Sequence, residues 1–406
     1  MSKEKRRVPK LRFPGFTEDW EQRKLTSFTQ RVKGNDGRMD LPTLTISASE
    51  GWLNQKDRFS ANIAGSEQKN YTLLRQGELS YNHGNSKLAK YGVVYALKDY
   101  KEALVPRVYH SFRVDESYDA LFVEYYFSTK RPDRELGKLV SSGARMDGLL
   151  NIGYDEFTNI SISVPTFSEQ KQIVALLKVC DKYITLHQRK LNNLKLKKKA
   201  LLQKLFPKNG ERYPELRFPG FTDAWEQRKL ESLFTKYEDK VSTPDSGYWR
   251  LGLRSHCKGT FYTYVDAGHE LETTEMYRVK AGNFILNITF AWERALAVTD
   301  DEDQGKLVSH RFPQFKPNDD LVIDFFKHTL MDKRFKHHLE LSSPGGAGRN
   351  KVLKVSDMLK YELLVPSIQE QNIISSFLNN VDYIITLHQQ EPFLCGNSVN
   401  GGVELC

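Results

Sequence analysis

The amino-acid sequence predicts an α+β fold made of two homologous α+β domains, each followed by a long helix. Two nearly identical blocks begin the two halves. Residues 11–25 read LRFPGFTEDWEQRKL, and residues 216–230 repeat them except that Asp223 and Ala224 replace Glu18 and Asp19. Strand-like runs and amphipathic helical segments follow each block. Hydrophobic residues make up 39% and aromatic residues 12% of the chain, which is enough apolar surface for two cores.

The composition limits the class of protein. The 406 residues suit two or three domains, and 60 Lys plus Arg against 51 Asp plus Glu give a modest net charge of +9. We find no long apolar run, and the N-terminal MSKEKRRVPK lacks the apolar segment of a signal peptide. The cysteines lie far apart without C-x-x-C spacing, which argues against a zinc module. We therefore expect a reduced, cytoplasmic protein without membrane association.

A second pair of matching blocks closes the halves. Residues 164–188 and 365–389 share Val-Pro, Glu-Gln, Ile, Asp and TLHQ at the same spacing. Weaker matches lie between the blocks, where Gly77 and Asn82 align with Gly282 and Asn287. A repeat this long indicates a duplicated domain rather than a solenoid unit. Shared ends with unlike middles suggest one common frame that carries two different recognition surfaces.

The elements within each half follow from local patterns. A Phe-Pro-Gly-Phe turn opens the half, and Trp20 or Trp225 is expected to anchor it by burial. One helical region is predicted near 119–140 and its counterpart near 320–341, each followed by a Ser/Gly-rich loop. The predicted strands are 41–47, 78–82, 91–97 and 108–114 in the first half, and 277–288 and 294–299 in the second.

A heptad pattern follows each Val-Pro. Apolar residues spaced alternately by four and three predict a long coiled-coil helix in each half, and His187 and His388 occupy the same heptad position. Two such seams in one chain can pack against each other, although each helix could instead dock only on its own domain. The predicted seam residues are Ile173, Leu177, Ile184, His187, Leu191, Leu194, Ile374, Leu378, Val381, Ile385 and His388.

Familiar catalytic motifs are missing from the sequence. It contains no phosphate-binding G-x-x-x-x-G-K-[ST], no G-x-S-x-G, no H-E-x-x-H and no Asn/Asp-Pro-Pro-Tyr tetrapeptide of amino-methyltransferases. We therefore predict no catalytic, cofactor or metal site in this chain.

Loop residues are the best candidates for binding. Arg, Lys, Asn and Gln side chains fit base edges in the DNA major groove, although each such residue alone is weak evidence. A basic helical stretch at 189–208 could contact phosphates, or could simply be a solvated face. The candidate DNA-binding residues are Asn82, His83, Asn85, Lys87, Arg145, Tyr248, Arg250, Arg254, His256, Lys258, Arg294, Arg349, Asn350 and Lys351.

Together, the paired LRFPGF…WEQRKL blocks, the Val-Pro…Glu-Gln…Ile segments and the TLHQ motif with its lysine-rich run resemble the specificity (S) subunit of type I restriction-modification systems. The resemblance extends from Leu11 to Gln389. It implies two target recognition domains joined by two long antiparallel coiled-coil helices with pseudo-two-fold symmetry. Each domain would read one half of a bipartite double-stranded DNA sequence, and the helices would set the spacing.

The resemblance also implies partners. Methyltransferase (M) subunits would use S-adenosylmethionine to methylate adenine, and restriction (R) subunits would use ATP and Mg²⁺ to translocate and cut DNA. The S subunit itself would be non-catalytic and would hold no cofactor. The expected segments are a first recognition domain at 1–163, a helical spacer at 164–208, a second recognition domain at 209–364, a truncated spacer at 365–390 and an atypical tail at 391–406.

The tail departs from the family pattern. Pro392 stands at the position that matches Leu191, and a proline cannot donate a backbone hydrogen bond. The second long helix is therefore predicted to end near Gln390. The tail is expected to be disordered or loosely packed, with Cys395 and Cys406 serving no site.

Two other functions stay open at this point. A self-sufficient DNA-modifying or DNA-cutting enzyme would need an acidic metal cluster or a methyl-donor loop. A structural coiled-coil adaptor would not need two different sets of polar and aromatic loops.

Overall fold

The computed structural model describes residues 9–59, 65–84, 86–140, 149–208, 210–269, 275–345 and 351–400, apart from the side chains of Phe59, Ser66 and 391–400. Its contacts divide the chain into two compact units. The first unit comprises Met1–Gln188 and Glu391–Cys406, and the second comprises Arg189–Gln390.

The first half mixes strands and helices. The strands are β1 (Glu21–Lys24), β2 (Thr29–Arg31), β3 (Leu44–Ser47), β4 (Gly51–Asn54), β5 (Thr72–Arg75), β6 (Leu79–Asn82), β7 (Val93–Ala96), β8 (Glu102–Val105), β9 (His110–Val114) and β10 (Ser161–Val164). The central sheet has the order β2-β9-β6-β7, and β1-β10, β3-β4 and β5-β8 form two-stranded pairs. The helices are α1 (Gln55–Phe59), α2 (Ala120–Ser128), α3 (Asp133–Leu139), α4 (Tyr154–Thr158) and α5 (Phe167–Leu205).

The second half has a larger sheet system. The strands are β11 (Glu226–Lys229), β12 (Phe234–Tyr237), β13 (Lys240–Ser242), β14 (Tyr248–Leu253), β15 (Thr260–Val265), β16 (Glu275–Arg278), β17 (Phe284–Leu286), β18 (Leu296–Val298), β19 (Leu307–Val308), β20 (Gln314–Pro317) and β21 (Glu362–Val365). One sheet has the order β12-β20-β17-β18, another has the order β13-β16-β19-β14-β15, and β11 pairs with β21. The helices are α6 (Leu230–Leu233), α7 (Ile323–Thr329), α8 (Lys333–Leu341), α9 (Val355–Met358) and α10 (Ile368–Asn400).

The repeated blocks of each half meet in a two-stranded ribbon. In the first half β1 runs antiparallel to β10, and Lys24 lies opposite Ser161. In the second half β11 and β21 pair in the same register, and Lys229 lies opposite Glu362. Each ribbon strand that leads to a long helix stops at Val-Pro, because proline has no N–H for the ladder. The ribbon therefore brings the two ends of each domain middle together.

An ion pair with a buried glutamate joins the opening block of each half to its long helix. Arg12 donates from Nε and Nη2 to both carboxylate oxygens of Glu169 at 2.8 Å, in the first turn of α5. Arg217 makes the same two 2.8 Å bonds to Glu370 in the first turn of α10. The predicted burial of Trp20 and Trp225 is confirmed. The Trp20 indole N–H also donates to Glu169.

Most predicted strands are confirmed, and the predicted helices are each divided in two. The region 119–140 forms α2 and α3, because Lys130 adopts a left-handed backbone (φ 63°) just before Pro132. The region 320–341 forms α7 and α8, and the side chain of Asp332 caps α8 by accepting from the Arg334 N–H. The predicted strand 277–288 also splits, into β16 and β17, at the positive-φ turn of Gly282.

The two long helices are present, but the predicted end of the second is wrong. α10 continues through Pro392 to Asn400 rather than ending near Gln390. A proline inside a helix removes one backbone hydrogen bond and crowds the preceding turn, yet the bonds on either side allow a kinked helix to continue. The side chains of 391–400, and residues 401–406, lie outside the described residues, so the expectation for Cys395 and Cys406 stays a prediction.

Burial of His328 is expected to make the second unit sensitive to acid. Its ring lies against Phe206, with 6.4 Å between ring centroids. Burial first, and then the nearby charges of Lys198 and Lys327, lower the pKa of His328 to about 4, although Asp382 and Asp324 oppose the shift. Stability should therefore be intact above the unfolded-state pKa of about 6.5 and should fall by up to about 3 kcal/mol as the pH drops toward 4.

The test compares two glutamine substitutions across that pH range. His328→Gln should flatten the dependence of the unfolding midpoint on pH, because it removes the titrating group. His337→Gln is the matched control, because that imidazole lies exposed on α8. Equal acid sensitivity in the wild type and the His328 variant would contradict this assignment.

Candidate nucleic-acid interface

Equivalent turns follow the central strands of the two halves. After β6, the Asn82 carboxamide oxygen accepts the Gly84 N–H at 3.1 Å. After β17, the Asn287 carboxamide oxygen accepts the Thr289 N–H at 3.0 Å. Asn side chains commonly stabilise turns in this way. The alignment of Asn82 with Asn287, which was only a weak echo in the sequence, thus corresponds to one shared local structure.

The chain returns to each turn immediately after a Ser/Gly-rich loop. The Leu150 N–H donates to the His83 carbonyl at 2.8 Å, and the Leu353 N–H donates to the Ile288 carbonyl at 2.8 Å. Leu150 and Leu353, which follow the segments 141–148 and 346–350 in sequence, are therefore tethered beside the two turns. Those segments carry the predicted residues Arg145, Arg349 and Asn350, which, like Asn85, lie outside the described residues.

The structure places His83 in the core of the first half. Its side chain is only 4% exposed. Its Nδ1 lies 2.7 Å from the Leu150 carbonyl oxygen, and its Nε2 lies 2.9 Å from that of Val108. The ring also stacks on His110, with 4.9 Å between centroids. Because both nitrogens already face carbonyl oxygens, this geometry supports a packing role for His83 rather than a contact with a DNA base.

Asn82 and Lys87 have different surroundings. The Asn82 amide nitrogen also donates to the Ile46 carbonyl at 3.2 Å, so this side chain shapes the turn. Lys87 is exposed a few residues further along.

Gly92 packs beside this turn with a positive φ of 82°, and a Cβ there would lie 2.5 Å from the Asn82 carbonyl oxygen. The first half therefore needs glycine at this position to keep the turn closed.

In the second half, the tip of the β14–β15 hairpin docks on the segment after β17. The His256 N–H donates to the Glu293 carbonyl at 2.8 Å, and the Cys257 N–H donates to the Arg294 carbonyl at 2.9 Å. The Ser255 hydroxyl reinforces this contact by donating to the Glu293 carboxylate at 2.8 Å. The docking places the predicted residues of both segments side by side.

Left-handed backbone conformations gather at this contact. His256, Cys257 and Arg294 have φ values of 64°, 53° and 59°. Such conformations cost about 1–3 kcal/mol each in residues other than glycine, and they often mark functional sites. The Arg294 Nε is buried without a hydrogen-bond partner among the described residues. Nearby, the Lys351 ammonium lies 5.2 Å from the centre of the Trp292 ring.

The predicted residues of the second half therefore separate into two groups. Arg254, His256 and Lys258 belong to the hairpin tip, and Arg294 and Lys351 come next to it. Tyr248 and Arg250 instead lie on the body of β14, where Tyr248 is buried opposite Val265.

The hairpin also presents aromatic side chains, of which Phe261 and Tyr264 were not predicted from the sequence to belong to the site. Trp249 is 53% exposed and meets Tyr264, 46% exposed, edge to face with 5.2 Å between ring centroids. The guanidinium of Arg254 lies 5.4 Å from the centre of the Phe261 ring. Gly252 permits this packing, because a Cβ there would lie 2.3 Å from the Phe261 ring. The aromatic-rich stretch 261–264 was the available signal.

The basic stretch of α5 is partly neutralised. Lys198 contacts Asp382 of α10 at 2.5 Å, and Lys204 and Lys208 both contact Glu215. Lys197 and Lys199 are exposed on the same helix. Among the candidates for phosphate contact, these two are therefore better placed than Lys198.

The predicted seam residues have unequal environments. Ile173, Ile374, Leu378 and Ile385 are buried, and Leu177, His187, Leu191, Leu194, Val381 and His388 are half-buried. Ile184 is exposed. Ile374 and Leu378 share the large core of the second unit with Leu205.

The described residues offer neither a metal site nor a membrane-spanning helix. No group of three His, Cys, Asp or Glu side chains in the described ranges could hold a metal ion. The helices within those ranges include none with the length and apolar character needed to cross a membrane.

Comparisons with known proteins identify relatives of low sequence identity. The chain is 22% identical over 294 residues to the type I restriction enzyme MjaVIII specificity subunit of Methanocaldococcus jannaschii, a match that spans 67% of this chain and 66% of that relative's length. The S subunit structure of a type I restriction-modification system from M. genitalium superimposes with a TM-score of 0.55 at 13% identity, covering 95% of this chain and 94% of that one.

A third relative has a similar fold. A chain from a structure on complex assembly and conformational transition of the type I R-M system superimposes with a TM-score of 0.50 at 14% identity, over 97% of this chain and 96% of that chain. These likenesses confirm the mixed α/β fold. The family model for the type I restriction modification DNA specificity domain matches residues 119–196 and 222–393, more than half of the sequence. The chain therefore belongs to the family of type I restriction modification DNA specificity domains.

Proposed function

We propose that this chain is the specificity subunit of a type I restriction-modification complex and reads a bipartite DNA sequence through two unlike recognition domains. The observation that carries the proposal is the pair of equivalent turns at Asn82 and Asn287. The two turns occupy equivalent positions in the two halves, but each lies beside a different set of side chains. Two unlike surfaces on a repeated frame suit two unlike half-sites.

In this proposal the recognition domains span 1–163 and 209–364, and the helical spacers begin at 164 and 365. Antiparallel packing of the spacers is supported within the second unit. Leu205 shares a core with Ile374 and Leu378, while Lys198, earlier in α5, contacts Asp382, later in α10. The 39 residues of α5 extend about 58 Å. A stiff spacer of that length suits half-sites about one or two DNA turns apart, at ~34 Å each.

The second domain would read its half-site with the docked hairpin tip. Arg254, Arg294 and Lys351 bring cationic donors to one edge, and arginine forks suit the paired acceptors of guanine. Trp292 and Phe261 hold two of these cations by ring contacts. In the first domain, Lys87 and the chain at Leu150, which is tethered beside the Asn82 turn, would have the corresponding place.

The long helices present a surface for a partner. Next to the seam, each helix has an exposed apolar stripe, and the two stripes share three positions across the 201-residue offset: Leu176 with Phe377, Tyr183 with Ile384, and Leu186 with Leu387. Leu186 is 51% exposed, and its counterpart Leu387 is 41% exposed. The other members are Leu176, Val179 and Tyr183 on α5, and Ile373, Phe377 and Ile384 on α10. We assign these stripes to docking of methyltransferase subunits, one for each helix.

The chemistry would belong to the partners. S-adenosylmethionine would serve the methyltransferase subunits, and ATP and Mg²⁺ would serve the restriction subunits, all acting on double-stranded DNA in the cytoplasm. This chain would contribute recognition and spacing without catalysis or a cofactor of its own.

The test is to purify the chain with and without a methyltransferase partner and to measure sequence-specific DNA binding and adenine methylation. We expect methylation at one bipartite sequence only when both proteins are present. Methylation or cleavage by the chain alone would establish the alternative, a self-sufficient DNA enzyme. Normal assembly with no sequence preference would point to a structural adaptor.

Binding should weaken steeply with salt, because each phosphate contact releases counterions. The log–log slope of affinity against salt is about −0.9 per contact. Replacing Lys197 and Lys199 together by glutamine should flatten the slope by up to about two contacts and leave the recognised sequence unchanged. Lys138 and Lys336, which pair with acids of their own helices, are the matched control for charge. An altered recognition sequence would contradict a phosphate role.

A further inference from the structure

The sequence alone assigns no role to the charged residues of the repeated blocks. The structure pairs them. Glu169 and Glu370 are each 1% exposed, and each accepts two parallel hydrogen bonds from one arginine, Arg12 or Arg217. Both glutamates occupy the first turn of a long helix. The same ion pair therefore occurs at the start of the long helix in both halves.

The glutamine after each glutamate extends the contact into the domain middle. The Gln170 carboxamide oxygen accepts the Asp119 N–H at 2.9 Å, and Asp119 caps α2. The Gln371 carboxamide oxygen accepts the Val322 N–H at 2.9 Å, and Val322 is the residue immediately before α7. In each half, the glutamate therefore bonds to an arginine of the opening block, and the next glutamine bonds to the start of a helix of the recognition domain.

Stability alone is a poor explanation for this device. Well-packed apolar residues often replace a buried ion pair at no cost in stability. A bidentate pair between planar groups adds direction, because the guanidinium and the carboxylate bond fully in only one relative orientation. The two domain middles differ in sequence and sheet order, yet the contact is repeated with the same bond lengths.

We propose that Arg12 with Glu169, and Arg217 with Glu370, are positioning residues that fix the angle of each recognition domain on its helix and thereby set the half-site spacing that the chain accepts. This inference rests on the proposed function. A domain of about 150 residues has a radius of gyration near 15 Å. A tilt of about 13° at that radius moves a reading loop by about 3.4 Å, which is the rise of one base pair.

The experiment removes the directional bonds between the arginine and the glutamate and keeps long apolar side chains at both positions. Once the target has been mapped, the full chain with its methyltransferase partner is tested on duplexes whose half-sites are unchanged but whose spacer differs by one base pair either way. The wild type should lose about tenfold or more in affinity on the altered spacers. Arg12→Met with Glu169→Met should reduce that discrimination to about threefold or less while the preferred half-site bases stay the same.

A matched control lies in β1. The exposed pair of Arg23 with Glu21 has the same chemistry without burial, so the double methionine variant there should keep the wild-type spacer profile. Arg217→Met with Glu370→Met should repeat the effect from the other half. Glu169→Gln is made in parallel, because it preserves size and part of the hydrogen bonding, and should show intermediate discrimination even if the double variant folds poorly.

Two outcomes would overturn different claims. If the wild type discriminates spacers and the folded variants keep its profile, the ion pairs are merely structural and the inference is wrong. A wild-type complex that recognises no bipartite target would overturn the proposed function, and this inference with it.

Discussion

Replacing Arg217 by methionine is expected to destabilise the second unit by about 3–5 kcal/mol, because the change leaves the Glu370 carboxylate buried without its partner. Arg217 is itself only 15% exposed, so water cannot readily replace its two hydrogen bonds.

Hydrogen exchange on the full chain during urea unfolding would measure this effect and locate it. Peptides of the second unit should lose protection, while peptides around the intact pair of Arg12 and Glu169 should keep theirs. Lys138→Met breaks an exposed pair with Glu135 and is expected to change stability by no more than about 0.5 kcal/mol. A similarly small effect at Arg217 would show that Glu370 is solvated in solution.

Exchanging residues 26–160 for the matching segment of another specificity subunit is expected to change one half of the DNA target completely and leave the other half unchanged. The exchange points lie side by side, because the Leu25 N–H donates to the Ile160 carbonyl at 3.1 Å. The ion pair and the β1–β10 ribbon lie outside the exchanged segment. The frame should therefore accept a different middle without strain.

Sequencing of methylated adenines in cells that express the exchanged chain would give the result. The reciprocal control exchanges 231–360, where the Leu230 N–H donates to the Tyr361 carbonyl at 2.9 Å. That exchange should change the other half-site. If either exchange altered both halves together, the two domains would not read DNA independently.

The division into two repeated halves with two long helices could be predicted from the sequence, because repetition and heptad spacing are properties of the order of residues. The blocks at 11–25 and 216–230 indicated two domains, and the heptads indicated α5 and the course of α10. The order of the sheets could not be predicted in this way. Pairing of β2 with β9 or of β12 with β20 joins segments that are distant in sequence, and no local preference encodes it.

The fate of single polar side chains was harder to predict. His83 and Tyr248 looked like surface residues by type, but both lie in cores, because burial depends on which strands pair. Arg12 and Glu169 were overlooked because charged residues are normally exposed. The signal was nevertheless present, since both residues recur at equivalent places in two halves whose middles have diverged.

The long separation within each ion pair has a consequence for synthesis on the ribosome. Arg12 and Glu169 are 157 residues apart, so at about 5–20 residues per second the arginine waits roughly 8–30 s for its partner. Glu370 is then made 201 residues after Glu169, roughly 10–40 s later. Arg12 therefore meets the correct glutamate before the competing copy exists.

Refolding from denaturant removes that order. All four charged groups are then present at once, and the nearly identical blocks can pair with the wrong helix. Crossed pairing of Arg12 with Glu370, or of Arg217 with Glu169, becomes a kinetic trap of the kind that repeated domains invite. Synthesis from the N-terminus thus favours the correct pairing of each arginine with its own glutamate. The local sequences of the two ion pairs are too similar to determine that pairing by themselves.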